Sequence, residues 1–127
     1  MNELFVNLNW IGLIIGAVIA FSLGGLWYSP HMFGLKWAEG SGINIVDDHP
    51  LPALLVQGIG TFLFAWLLAI VLVSGGLAVA ILAVITVSAI LAGGCLFSNK
   101  NSYAVITESG FVVVNGVIII ACLYLIG

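Results

Sequence analysis

The stretch Leu51–Phe97, LPALLVQGIGTFLFAWLLAIVLVSGGLAVAILAVITVSAILAGGCLF, carries no Asp, Glu, Lys or Arg, and the charge-free run around it extends from residue 49 to residue 99. About 20 apolar residues in helical form cross the ~30 Å hydrocarbon layer of a bilayer. The stretch is therefore too long for one crossing. Ser74-Gly75-Gly76 interrupts it where a chain reverses direction, which predicts two spans, residues 51–73 and 77–97. Alternating polar and apolar positions of the kind that line a membrane β-barrel are absent, so both spans read as helices with their backbone groups bonded internally.

Working outward, residues 4–35 form a second charge-free run. It holds a span over residues 10–28. Downstream, residues 103–126 hold a fourth, with Asn101 or Ser102 as its N-cap. The remainder of the 127-residue chain fits this picture: 63% of residues are hydrophobic, 6% are charged, and the mean hydropathy is +1.32. A soluble domain has roughly 25% charged residues. The fold class predicted is all-α, a single integral membrane domain of four transmembrane helices with a short interfacial helix in the first loop. Two lysines and no arginine give no basic surface for phosphates, which excludes nucleic acid as a partner. Met1-Asn2-Glu3 lacks the positive charge of a signal peptide, so the first helix is expected to remain in the mature protein. No repeat or low-complexity linker is readable, and a distant relation between the two helical hairpins stays open.

The loops differ in length. Residues 29–50 make a long first loop, in which Pro30–Ala38 is expected to form a surface helix with Phe33 and Trp37 on one side. Gly40-Ser41-Gly42 should break it, and Asp47-Asp48-His49-Pro50-Leu51-Pro52 reads as the entry to the second span, with acids at its positive end and prolines in its first turn. Lys36 and Lys100 fall in the first and third loops, on one side of an even-span topology. The positive-inside rule then places both lysines in the cytoplasm and both termini outside.

Three groups of residues are candidate sites. Glu108, Asn115 and Cys122 recur every seven residues on one face of the fourth span, and Gln57 and Thr61 lie one turn apart on the second. Either face would line a polar path, since an ionisable group in a membrane is costly and often functional. In the competing reading, Glu108 marks the membrane interface near Lys100 and Asn115 bonds a neighbouring helix. Gly12, Gly16, Ala20 and Gly24 form a ridge almost without side chains, suited to close helix contact. Gln57-Thr61-Ala65-Ala69 and Thr86-Ala89-Gly93 are comparable stripes. Such a face serves either self-association or packing inside one subunit. Trp10, Trp27, Tyr28, Trp37 and Tyr124 read as interfacial anchors. Trp27, Tyr28, Phe33 and Trp37 would alternatively wall an aromatic ligand pocket.

His31, Asp47, Asp48 and His49 match no metal-ligand spacing, so neither a metal site nor any other cofactor is expected. No nucleophile–base pair is readable, which argues against an enzyme. Cys95 ends the third span near the cytoplasm and Cys122 nears the outer end of the fourth, too far apart for a disulfide.

Phe21-Ser22-Leu23-Gly24-Gly25-Leu26-Trp27-Tyr28-Ser29-Pro30, continued by Phe33-Gly34 and Lys36-Trp37, resembles the opening of an uncharacterised family of small bacterial membrane proteins, known only as a domain of unknown function. The shared pattern is a first helix ending Gly-x-x-Trp-Tyr-Ser-Pro, then Phe-Gly-x-x-Trp. Glu108-x-Gly110-Phe111 and Gly116 carry a weaker echo of the family's acid-x-Gly-aromatic pattern. The close match covers about a tenth of the chain, and the four-span layout extends it to the whole. The resemblance implies a bacterial cytoplasmic (inner) membrane location and brings no activity with it. The function expected first is a small transport unit, an oligomeric channel or transporter for an ion or small solute; the alternative is a non-transporting module that binds a membrane partner or ligand. In both, a homo-oligomer in the lipid bilayer, a dimer first, is the expected working form.

Overall fold

The computed structural model describes residues 5, 7–28, 32–42 and 51–126. Among them are five helices: α1 (Trp10–Trp27), α2 (Gly34–Ser41), α3 (Leu51–Ser74), α4 (Leu77–Phe97) and α5 (Ser102–Leu125). The four long helices contain 18 to 24 residues. At 1.5 Å per residue they are about 27 to 36 Å long, matched to a bilayer core. All four are long and apolar enough to cross a membrane. Large side chains point outward along them, including Ile11, Ile90, Ile106 and Val117, each more than 60% exposed. In water this surface would aggregate; in lipid it meets acyl chains. The chain is an integral membrane protein.

The predicted spans agree with these helices to within one residue at each end. The turn between α3 and α4 depends on Gly76, whose φ of +85° is closed to residues with a side chain. Gly75 and Gly76 both donate to the Val71 carbonyl, at 2.7 and 3.1 Å, and so cap the end of α3. Asn101 is the N-cap of α5, its side-chain oxygen accepting from the Ala104 N–H at 2.9 Å.

The short surface helix differs from its expected bounds of Pro30–Ala38. It runs Gly34–Ser41, so Gly40 and Ser41 belong to it, and the break comes at Gly42. Gly42 has φ +73°, and its N–H reaches back to the Ala38 and Glu39 carbonyls, the left-handed cap that ends a helix. Gly40 stays helical because the helix abuts α5 there. The Asn101 N–H donates to the Gly40 carbonyl at 3.1 Å, and the Asn101 side chain occupies the space a Cβ on residue 40 would need. Residues 29–31 and 43–50, with Pro30, His31, Asp47, Asp48 and His49, lie outside the described residues.

α5 is the hub of the bundle, packing against α1, α4, α3 and α2, while α3 packs against α1 and α4. The core is small-sided: Leu13, Ala17 and Ala20 of α1 meet Ala65, Leu68 and Ala69 of α3, Ala80 and Val84 of α4, and Ile119 of α5. Such a core suits lipid, where helices gain no hydrophobic driving force and associate through close van der Waals contact. The Gly12–Gly16–Ala20–Gly24 ridge supplies that contact inside the subunit, against α5. A Cβ on Gly12 would lie 2.8 Å from the Cys122 carbonyl oxygen, one on Gly16 3.2 Å from the Ile119 Cα, and one on Gly24 3.0 Å from the Phe111 ring. Of the two uses open to this ridge, self-association or packing inside one subunit, it serves the second, because α5 covers it.

The same two helices are tied at their other end by one side chain. Asn9 accepts from the Gly12 N–H at 2.9 Å, capping α1, and its amide donates to the Leu123 carbonyl at 2.9 Å and to the Ile126 carbonyl. One amide thus satisfies an orphan donor of α1 and orphan acceptors of α5.

Because α5 lies directly on the ridge, Gly16→Leu overpacks the α1–α5 contact. The expected loss is about 1–3 kcal/mol, seen as a lower unfolding midpoint in detergent and a lower folded yield, with no change in the mass distribution of the folded fraction.

Candidate functional site

The chemistry of the chain gathers at the end of the bundle where α1 exits, α2 lies and α5 begins. The α4–α5 connection is short, so Lys100 folds back beside the first turns of α5. Its Nζ meets the Glu108 carboxylate at 2.5 Å, with the two side chains 21% and 15% exposed. The Cys95 thiol, on the last turn of α4, lies close to Glu108. Glu108 is thus engaged with its neighbours at the edge of the span, in keeping with the interfacial reading. Lys36 of α2 lies 5.6 Å from the centre of the Tyr103 ring, a cation–π contact that brings both lysines to the same end.

An aromatic cluster covers this end. Trp27 packs on Phe33 at 4.6 Å between ring centres and on Phe111 at 5.7 Å; Tyr28 packs on Trp37 at 4.6 Å and on Phe111 at 5.3 Å. The Trp27 indole N–H donates to the Thr107 carbonyl at 3.0 Å. Phe33 and Trp37, four residues apart, therefore dock two successive aromatics of the α1 exit. The rings pack directly on one another. Tyr28, one residue beyond α1, holds its phenol proton well above the ordinary range, first through burial and then through the nearby Glu108 and Cys95. It is a neutral hydrogen-bonding group at any physiological pH.

The structure separates the remaining candidates. Asn115 is buried, 5% exposed, and its side-chain oxygen has no hydrogen-bond partner. It lies seven residues from Glu108, about 10 Å along the axis. Cys122, seven further on, packs against Gly12 and Gly16. On α3, Thr61 is buried and donates to the Gln57 carbonyl at 2.8 Å, while Gln57 itself is exposed. The two do not share a polar surface. Both cysteines are free, and the described residues hold no cluster of three His, Cys, Asp or Glu groups for a metal. Clefts of about 540 and 150 Å³ lie at the opposite end, around Asn7, Asn9 and Tyr124; neither is lined by Glu108, Asn115, Gln57 or Thr61.

Sequence reasoning passed over Phe111, Cys95 and Tyr103 as members of this constellation. Phe111 had a signal, since it follows Thr107 by four residues and Glu108 by three on α5. Cys95 and Tyr103 had none, because their roles depend on how α4 and α2 meet α5. No family model matches the chain, and neither curated proteins nor solved structures match it.

Among the described residues, the ion pair is the one salt bridge at this end. Glu108→Gln and Lys100→Met each leave a partly buried charge without its counterion, and each is expected to cost about 1–3 kcal/mol. The double variant should recover part of the loss; a double-mutant cycle on detergent unfolding measures the coupling.

Proposed function

We propose that the protein is a homo-oligomeric membrane module, a dimer in its simplest form, that binds a membrane partner or ligand and does not itself conduct solute. The observation that carries this reading is the fate of the polar face of α5. Glu108 is paired with Lys100, Cys122 packs on the α1 ridge, and Thr61 of the neighbouring α3 satisfies its hydroxyl within its own helix. A subunit arranged in this way offers no continuous polar lining.

Self-association has a candidate surface in α4. Of the three stripes of small residues, those of α1 and α3 are packed inside the subunit, with Ala65 and Ala69 in the core. On α4, Thr86 and Ala89 are exposed, and a Cβ on Gly93 would meet nothing within 4 Å. Close approach of a second copy along α4 is the kind of contact that stabilises helix pairs in lipid. The Trp27-Tyr28-Ser29-Pro30 and Phe33-Gly34-x-x-Trp37 pattern supports membership of the bacterial domain-of-unknown-function family and hence an inner-membrane location. The positive-inside rule supports a cytoplasmic lysine end and external termini.

One observation favours the transport reading instead: Asn115, whose side-chain oxygen has no partner deep in the span. A liposome flux assay over several ions and solutes separates the two. The module reading expects no flux above protein-free vesicles; flux that falls in Glu108→Gln or Asn115→Leu overturns it. In the same vesicles, cysteines placed at positions 2 and 127 should react only with reagent on the side opposite Lys36 and Lys100. Mass measurement in detergent, backed by cross-linking in lipid, should show a dimer that Gly93→Leu converts to monomer. A wild type that is monomeric in lipid removes the oligomer from the proposal.

A further inference from the structure

Among the described residues, two buried side-chain donors lack a partner, and they sit together; the other unbonded buried atom, Asn115 Oδ1, is an acceptor. Every buried or half-buried serine or threonine on the long helices donates to a carbonyl: Thr61 to Gln57, Thr107 to Tyr103, Ser109 to Val105 and Ser88 to Ser109, all at 2.7–2.9 Å. The indoles of Trp10 and Trp27 donate to carbonyls at 3.3 and 3.0 Å. On α2, by contrast, the Trp37 Nε1 and the Ser41 Oγ are both buried and both lack a partner. They stand four residues apart, one turn along the same face of one short helix, at the end of the bundle where aromatic residues gather. A buried donor left unbonded costs about 1–3 kcal/mol. Two on one turn describe a place where acceptors belong.

The surroundings specify the acceptor. An indole N–H only donates, and a serine hydroxyl donates readily, so the ligand presents oxygens. Anionic oxygens fit poorly. Ser41 is the last residue of α2, where the helix dipole is negative, Glu39 precedes it by two positions, and Glu108 lies beside the Tyr28 ring that Trp37 packs on. Neutral carbonyl oxygens fit. Leu35 on α2 and Met32, two residues before it, are 58% and 41% exposed, next to four apolar spans. This places α2 at the hydrocarbon boundary, the depth of the ester groups of a glycerolipid.

We propose that α2 binds the acyl ester carbonyls of a membrane glycerolipid through the Trp37 indole N–H and the Ser41 hydroxyl. Two donors one turn apart match the two neighbouring ester groups of one lipid. Neither donor is reached by solvent in this arrangement, so binding requires α2 to move away from Tyr28 and the start of α5. The site does not depend on whether the protein dimerises or transports.

Ether lipids give the test, because they keep the headgroup and chains and remove the carbonyls. Purified full-length protein is offered diacyl- and dialkyl-phosphatidylcholine in competition, and retained lipid is read by native mass spectrometry. The wild type should prefer the diacyl form about tenfold, the worth of two neutral hydrogen bonds. Trp37→Phe and Ser41→Ala should each lose most of that preference, while their unfolding midpoints in lipid-free detergent stay level or rise. Equal retention of both lipids by the wild type overturns the proposal, as does undiminished preference in the variants. A preference set by adding phosphatidylglycerol, regardless of ester or ether linkage, replaces it with an anion site. The wild type alone supplies a second measurement: the Trp37 indole N–H resonance should move downfield in diacyl bicelles relative to dialkyl ones, and an unmoved resonance also overturns the proposal.

Discussion

The contact between α1 and α5 is set by the near absence of side chains on one face of α1, and the rest of the bundle is arranged around it. In lipid, two helices have no hydrophobic effect to join them. They need backbone-to-backbone proximity, which Gly12 and Gly16 provide by letting the Cys122 carbonyl and the Ile119 backbone come within van der Waals reach. Gly116, one residue beyond Asn115, repeats the device on the α4 side of α5: a Cβ there would lie 2.5 Å from Val84. α5 thereby becomes the hub, gripped by α1 on one side and α4 on the other.

Once α5 is fixed by these contacts, the chemistry at its N-terminal end follows. Asn101 caps α5 and at the same time receives α2 through Gly40, so the surface helix is positioned by the same residue that starts the span. That docking brings Trp37 onto Tyr28, while Phe111 of α5 lies against both Trp27 and Tyr28. At the far end, Asn9 performs the corresponding task for α1 and α5. Two asparagines, each at a helix N-cap and each in contact with the C-terminal end of another helix, hold the two ends of the hub.

The sequence and the structure part company over the polar residues. The seven-residue recurrence of Glu108, Asn115 and Cys122 was legible, and the three do share a face of α5. Their spacing says nothing about what lies opposite. Glu108 finds Lys100 because the connection from α4 folds back, Cys122 finds the glycine ridge, and Asn115 finds no partner for its oxygen. One periodic stripe therefore serves three different environments. The aromatic motif at the α1 exit was legible as interfacial residues; that its rings interlock in pairs across α1, α2 and α5 was not. Trp37 and Ser41 illustrate the point most sharply, since nothing in Lys36-Trp37-Ala38-Glu39-Gly40-Ser41 marks their donors as unbonded.

The sequence by itself determined that this is a membrane protein with four long spanning helices and where each of those spans starts and stops. Those properties are local: uninterrupted apolar length fixes a span, and glycine, serine and asparagine fix its ends through their own backbone preferences. It also fixed that both lysines lie at one end, because an even number of crossings permits nothing else. Only the tertiary structure decided which small-residue face is covered. Gly12–Gly16–Ala20–Gly24 and Thr86–Ala89–Gly93 are alike as patterns, yet α5 covers the first and leaves the second open. Pattern specifies that a face can be approached closely; which helix approaches depends on how four helices of different lengths share one α5, and that is a property of the whole bundle.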